Sequence, residues 1–243
     1  MKKVLIFLFL IIFIPLIAIS GYEDTWDELL KKYTKEGTKN GIALTLINYN
    51  SIRNDDKWGE LLKELKKSKP EGGLAFWINI YNIAAVKMMA DNYPLKSIKD
   101  KSKLFNSVWD QKIINITGKE YSMSHIEHEI LRKMGEPRIH AAIVCASVSC
   151  PDLLGEAYSK KGLNEQLNSQ MKLFLNNTKK GFSLDKKNRK IYISSIFKWF
   201  NDDFDDVRRF ISHYLPEYKN EILDKKYDIK YLDYDWASND AKN

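Results

Sequence analysis

Cysteine is scarce in this chain, with only Cys145 and Cys150 among 243 residues. At most one disulfide can form, which excludes a disulfide-stapled scaffold. The two positions are so near in sequence that a bridge would close a very small loop and add little stability through chain entropy. Histidine is scarce too, and no HExxH pattern surrounds any of the four. His125 and His128 have the i, i+3 spacing of a zinc pair but no third ligand at a suitable interval, so neither a metal nor another cofactor is expected. No basic stripe forms: the net +7 comes mostly from lysines scattered among acids, as in Lys63 to Lys69 and Lys179 to Lys190. Such runs read as a solvated face. Nucleic-acid binding would need a basic stripe with stacking aromatics, and none is present, so no nucleic-acid partner is expected. Repeats and low-complexity segments are absent. Beyond residue 20 no stretch is expected to be long and apolar enough to span a bilayer.

The first twenty residues read as a secretory leader. Lys2 and Lys3 give a positive start, Val4 to Ile19 is apolar apart from Pro15, and Ala18 and Ser20 place small side chains before Gly21. Cleavage there predicts a soluble protein exported to the periplasm or the medium, with no stable membrane insertion afterwards. No cysteine near this exit offers a lipid anchor. The chain as a whole, with 12% aromatic and 44% apolar residues, has the composition of a folded domain rather than a disordered chain. Residues 21–70 read as an N-terminal helical region, 71–236 as the core domain and 237–243 as a C-terminal tail.

Apolar spacing predicts helices over 22–36 and 54–67, the second carrying Leu61, Leu62 and Leu65 on one face. A break at Lys69 to Gly73 precedes a helix over 74–91 that is apolar in nearly every direction, as a central buried helix should be. A short hairpin is expected over Ile113 to Ser122. A helix follows to Arg132, started by Ser124 with Glu127 completing a capping box. Ile139 to Ala146 reads as a buried strand, 163–175 and 207–214 as helices, and 190–194 as a strand. The mixture predicts an α+β fold in which the central helix packs on a small mixed sheet.

Several polar residues stand out against this apolar background. Asn79 and Asn82 lie one turn apart on the buried helix and must find partners, since a buried unpaired amide costs about 1–3 kcal/mol. They either tie neighbouring backbone to the helix or line a pocket. Glu127 falls inside the apolar arc of its helix, where a carboxyl is either held by a partner or raised in pKa. Arg138 and His140 are its nearest candidate partners along the chain. On a regular strand His140 and Cys145 would face opposite ways. Cys150, beyond the strand, would lie in a loop able to return toward His140 or His128, either of which would make a thiol nucleophilic.

Five segments together resemble a known family. They are Gly73-Leu-Ala-Phe-Trp-Ile-Asn-Ile-Tyr-Asn82, Ile126-Glu-His-Glu-Ile-Leu-Arg132, Pro137-Arg-Ile-His-Ala-Ala-Ile-Val-Cys-Ala-Ser-Val-Ser-Cys-Pro151, Ile196-Phe-Lys-Trp-Phe-Asn-Asp-Asp-Phe204 and Tyr231-Leu-Asp-Tyr-Asp-Trp236. In order and content they are similar to the domain of unknown function 547 family. The resemblance implies exported bacterial proteins without an established activity. It carries over Trp77, Asn79, Asn82, Glu127, His128, Arg132, Arg138, His140, Cys145, Cys150 and Pro151, whereas His125 falls at a position expected to vary. A looser similarity is to papain- and transglutaminase-like folds. Those place a nucleophilic cysteine at the start of the central helix, where this chain has Gly72 and Gly73.

Two functions follow as expectations. One is a non-catalytic binding or assembly domain, with a Cys145–Cys150 disulfide and a polar Asn/Glu/His pocket; the missing cysteine at the helix start and the strand geometry favour it. The other is a thiol-dependent hydrolase or acyltransferase. There Cys150 or Cys145 is the nucleophile, His140 or His128 the base and Glu127 the orienting carboxylate. Asn79, Asn82, Trp77 and Arg138 would then contact substrate. Residues alone name no partner.

Overall fold

The computed structural model describes residues 21–69, 73–102 and 107–241. The expected leader, 1–20, lies outside them. Helix α1 (Tyr22–Tyr33) buries Trp26, Leu29 and Leu30. It is shorter than the predicted 22–36 because Thr34 begins a hairpin, β1 (Thr34–Lys39) and β2 (Ile42–Ile47), paired antiparallel from Thr34 with Ile47 to Lys39 with Ile42. Asn40 and Gly41 turn it with φ of 53° and 76°, the left-handed pair that a tight two-residue hairpin requires. The N-terminal region is therefore not helical throughout. Short α2 (Tyr49–Arg53) and α3 (Asp56–Leu65) complete it, with Trp58, Leu61 and Leu65 buried at helical spacing.

Helix α4 (Gly73–Asp91) is the centre of the main hydrophobic cluster. By length and composition it is apolar enough to cross a membrane, contrary to the expectation above, but 83% of that window is buried inside the fold. It packs on α2, on strand β3 (Lys112–Ile116) and on the segment 125–131. Strand β3 pairs antiparallel with β4 (Lys119–Ser122), as expected, around Thr117 and Gly118. Farther on come α5 (Leu163–Asn176), β5 (Phe182–Asp185), β6 (Lys190–Ile193), α6 (Ile196–Trp199), α7 (Val207–Tyr214), α8 (Lys219–Leu223) and β7 (Asp228–Tyr231). Strand β6 pairs antiparallel with β5 and parallel with β7, forming a mixed sheet whose Phe182, Ile191 and Ile193 enter a second hydrophobic cluster. The class is α+β, as the mixture of periodicities predicted.

Three local expectations fail, each for a physical reason. The first concerns 139–146, which is not a strand: Pro137–Ala141 is a 3-10 helix and the chain then runs as an irregular loop over α4. Asn82 takes the place of a neighbouring strand there. Its Nδ2 donates to the Ala142 carbonyl at 2.9 Å and its Oδ1 accepts from the Val144 N–H at 2.9 Å. The capping box at Ser124 is the second failure. Ser124 is itself helical and caps nothing with its side chain; Ser122 Oγ accepts from the His125 N–H instead. In the third case, the expected tail is packed rather than free. Ser238 bridges Ser147, Asp240 bridges Ile47, and residues 238–241 are buried.

One ion pair with a buried lysine lies outside the cavity described below. Lys180 Nζ lies 2.9 Å from Asp152 Oδ1, which also accepts from the Thr45 N–H at 2.6 Å. Its carboxylate thus has the partners a buried charge needs.

The Asn82 clamp yields a direct test. Asn82→Ala leaves the Ala142 carbonyl and the Val144 N–H unpaired in an apolar interior. The expected loss in urea unfolding is about 2–4 kcal/mol, well above that of an ordinary surface substitution.

Candidate functional site

At the seam of the two hydrophobic clusters lies a cavity of about 510 Å³, within the usual range for a small-molecule site. Tyr81 of α4 reaches it from one side, and Ile196, Trp199 and Phe200 from the other. Glu127 and His128 enter from His125–Leu131, a π-helix closed by the Arg132 N–H on the Glu127 carbonyl. Such segments are rare and concentrate at functional sites. The loop after the 3-10 helix supplies Ile143, Cys145 and Cys150. Tyr234 and Trp236 close the cavity from a chain segment held by three hydrogen bonds: Val148 N–H to the Ala237 carbonyl (2.9 Å), Ser149 N–H to the Asp235 carbonyl (3.2 Å) and Asp235 N–H to Ser149 Oγ (2.9 Å).

Cys145 and Cys150 are free thiols, so the expected disulfide is not formed. Their sulfurs lie 3.0 Å apart, and Cys150 Sγ accepts from the Cys145 backbone N–H at 2.9 Å. Cys145 Sγ also meets Ser147 Oγ at 3.1 Å and Tyr234 Oη at 3.2 Å. The Cys150 contact above all, then the Ser147 and Tyr234 hydroxyls, favour a thiolate at Cys145 over the opposing effect of burial, and bring its pKa down to about 7. Burial keeps the neighbouring Cys150 thiol protonated, and the charge beside it reinforces this. Sequence reasoning left the choice of nucleophile between the two open; geometry assigns the anion to Cys145, the more exposed one.

Glu127 is 7% exposed. Burial raises its carboxyl to about 7, a shift only partly offset by the Tyr81 hydroxyl, which donates to Oε2 at 3.0 Å. Its charge is also felt at Cys145. Glu127 does not pair with Arg138 or His140. His140 is buried, stacks on Phe200 with ring centroids 4.2 Å apart, and has Nε2 2.7 Å from Asp203 Oδ2. Burial drives its pKa down to about 4. The ring is therefore neutral, and because a carboxylate only accepts, Nε2 carries the proton. Asp203 also receives Arg132 Nε and Nη2, each at 2.7 Å. Burial pushes the Asp203 carboxyl up, but these donors outweigh it and hold it below the usual range. Arg132 Nη1 lies 3.0 Å from His128 Nδ1, which must accept, so His128 is neutral as well.

The remaining predicted positions lie elsewhere. Asn79 pairs with the Tyr158 backbone, donating to its carbonyl at 2.8 Å and accepting from its N–H at 2.9 Å. Asn82 clamps the cysteine loop from beneath. Trp77 packs on Phe76 and Tyr121 in the core. Arg138 is engaged by Glu136, Asn164 and Asn168. None of these four lines the cavity. Conversely, sequence reasoning missed Asp203, Tyr81, Tyr234, Trp199 and Trp236. All five sit inside the quoted motifs, so the signal was present as position but not as chemistry. Lys99 and Trp109 had no signal at all.

Residues 65–175 match the family model described as protein of unknown function, DUF547. The matched stretch holds Tyr81, Glu127, His128, His140 and both cysteines, while Asp203 and the Tyr234–Trp236 wall come from beyond it. No curated protein and no solved structure matches the chain.

Two measurements check the electrostatics. Iodoacetamide should alkylate Cys145 before Cys150, with a rate that falls as pH drops through about 7, and Tyr234→Phe should move that midpoint upward. Stability should respond to Glu127 in the opposite sense. A carboxyl raised in the folded state stabilises most below its unfolded pKa, and that contribution is lost as pH rises through about 7. Glu127→Gln should therefore gain on the wild type above neutrality, by about 3 kcal/mol at full ionisation, with little difference near pH 4.

Proposed function

We propose that the domain is a thiol-dependent acyl hydrolase or transferase, with Cys145 as nucleophile and Glu127 as proton donor. The observation that carries this reading is the surroundings of Cys145 Sγ, with Cys150, Ser147 and Tyr234 all within 3.2 Å at the wall of a ligand-sized cavity. The thiolate attacks an acyl carbonyl, the C–S bond forms, and the leaving group departs with the proton of neutral Glu127. Water or a second nucleophile then attacks the thioester and gives its proton to the Glu127 carboxylate. The Cys145 thiolate leaves, and both groups return to their starting state. A carboxyl titrating near neutrality is matched to that double role. Tyr81 bonds one oxygen and leaves the other to carry the acid proton. The reading includes export before action, and its support is the Lys2 to Ser20 leader pattern.

One observation favours a binding domain without catalysis: among the described residues no histidine hydrogen-bonds either thiol, and His140 is committed to Asp203. p-Nitrophenyl acetate separates the two. The acyl-transfer reading expects a burst of p-nitrophenol and one acetyl group on Cys145, lost again with time. Glu127→Gln should retain that acetyl group, deacylating roughly a hundredfold more slowly, and Cys145→Ser should show neither burst nor adduct. A wild type that takes no acetyl, or a Cys145→Ser variant that releases p-nitrophenol equally fast, overturns acyl transfer and leaves the binding reading.

A further inference from the structure

Two motif segments, together with Trp109, contribute an aromatic wall of which the proposed chemistry uses only the Tyr234 hydroxyl. Trp199 and Trp236 stack with centroids 5.8 Å apart, Tyr234 lies 4.8 Å from Trp199 and 4.6 Å from Trp236, and Trp109 meets Trp236 edge-on at 5.7 Å. Trp199 remains 47% exposed although it lines the cavity. Continuous aromatic surface held open in this way suits a flat apolar body, because ring faces gain from stacking beyond the area they bury.

Above the wall stands Lys99. It sits on a 3-10 turn, Ile98–Lys101, fixed by a capping box between Ser97 and Asp100. Its Nζ is 3.5 Å from the centre of the Trp236 ring, and among the described residues no carboxylate pairs with it. The carboxylates in and beside the cavity are already answered, and the anion whose charge reaches Lys99 is the Cys145 thiolate. Asp203 is satisfied by Arg132 and His140, while Glu127 is protonated up to neutral pH. A ligand anion would thus find one cation whose charge no carboxylate offsets.

We propose that the cavity selects acyl compounds with a flat, apolar body that carries an anionic group, the body against Trp199 and Trp236 and the anion at Lys99. This names a substrate class for the acyl-transfer reading and rests on it. The binding step itself does not require the thiol, so it is tested in the Cys145→Ser variant of the full chain.

Calorimetric titration with 2-naphthylacetate and its neutral amide, 2-naphthylacetamide, decides it. The carboxylate should bind about tenfold tighter than the amide, the value of one charge-assisted contact. Lys99→Met should abolish that preference without weakening the amide. Trp199→Ala should weaken both probes by roughly tenfold. Both side chains are exposed enough that an unchanged thermal melt will show the fold is kept. Equal binding of acid and amide, a preference that survives Lys99→Met, or no binding of either probe overturns the proposal. Failure of acetylation at Cys145 with the selectivity intact would instead overturn only the acyl-transfer chemistry.

Discussion

Asn82 is the contact on which the site depends. Its amide is 1% exposed on the central helix and satisfies one carbonyl and one N–H of the buried 142–144 backbone, where no partner strand pairs with them. Released from a ladder, the chain is free to turn. Ala146 takes a φ of 57°, and Cys150 returns until its sulfur touches that of Cys145. A strand through the same residues would have sent His140 and Cys145 to opposite faces. The side-chain clamp brings them to one cavity.

A second constraint is electrostatic. The cavity wall holds two histidines, two thiols and a glutamate, and the interior supports few charges unless each is paired. The chain meets this by concentrating its permanent charge on one hub, where Asp203 is bound by Arg132 in two places and by His140 in a third. Both histidines stay neutral. Glu127, left without a cation in direct contact, shifts toward neutrality instead. Cys145 can ionise near pH 7 because S–H and O–H donors surround it, and its Cys150 neighbour keeps its own proton. Each residue's state is set by its neighbours, not by its type.

The periodic elements were legible from residues alone. The central helix, α3, the β3–β4 hairpin, α5, β6 and α7 all announced themselves by spacing that matches one face or both to the core. Residues 139–146 did not, because a short apolar run with branched side chains looks alike whether its backbone is paired by a strand or by an asparagine. Ser124 and Glu127 likewise carry a capping pattern. Their helix, however, begins at Met123 and widens into a π-helix, so Glu127 faces the cavity. Asp203 escaped notice because its partners, Arg132 and His140, are 71 and 63 residues away.

By itself the sequence determined the α+β class, the buried helix with its two amides, and most of the segments from which the site is drawn, those around Lys99 and Trp109 excepted. Hydrophobic period and chain-local chemistry are enough for that. Which thiol ionises, which histidine meets which carboxylate, and that Trp199, Tyr234 and Trp236 face Lys99 and Trp109 were decided only in three dimensions. Those properties come from contacts between segments far apart in the chain, and from the desolvation that such packing imposes. Neither has any counterpart in local residue order.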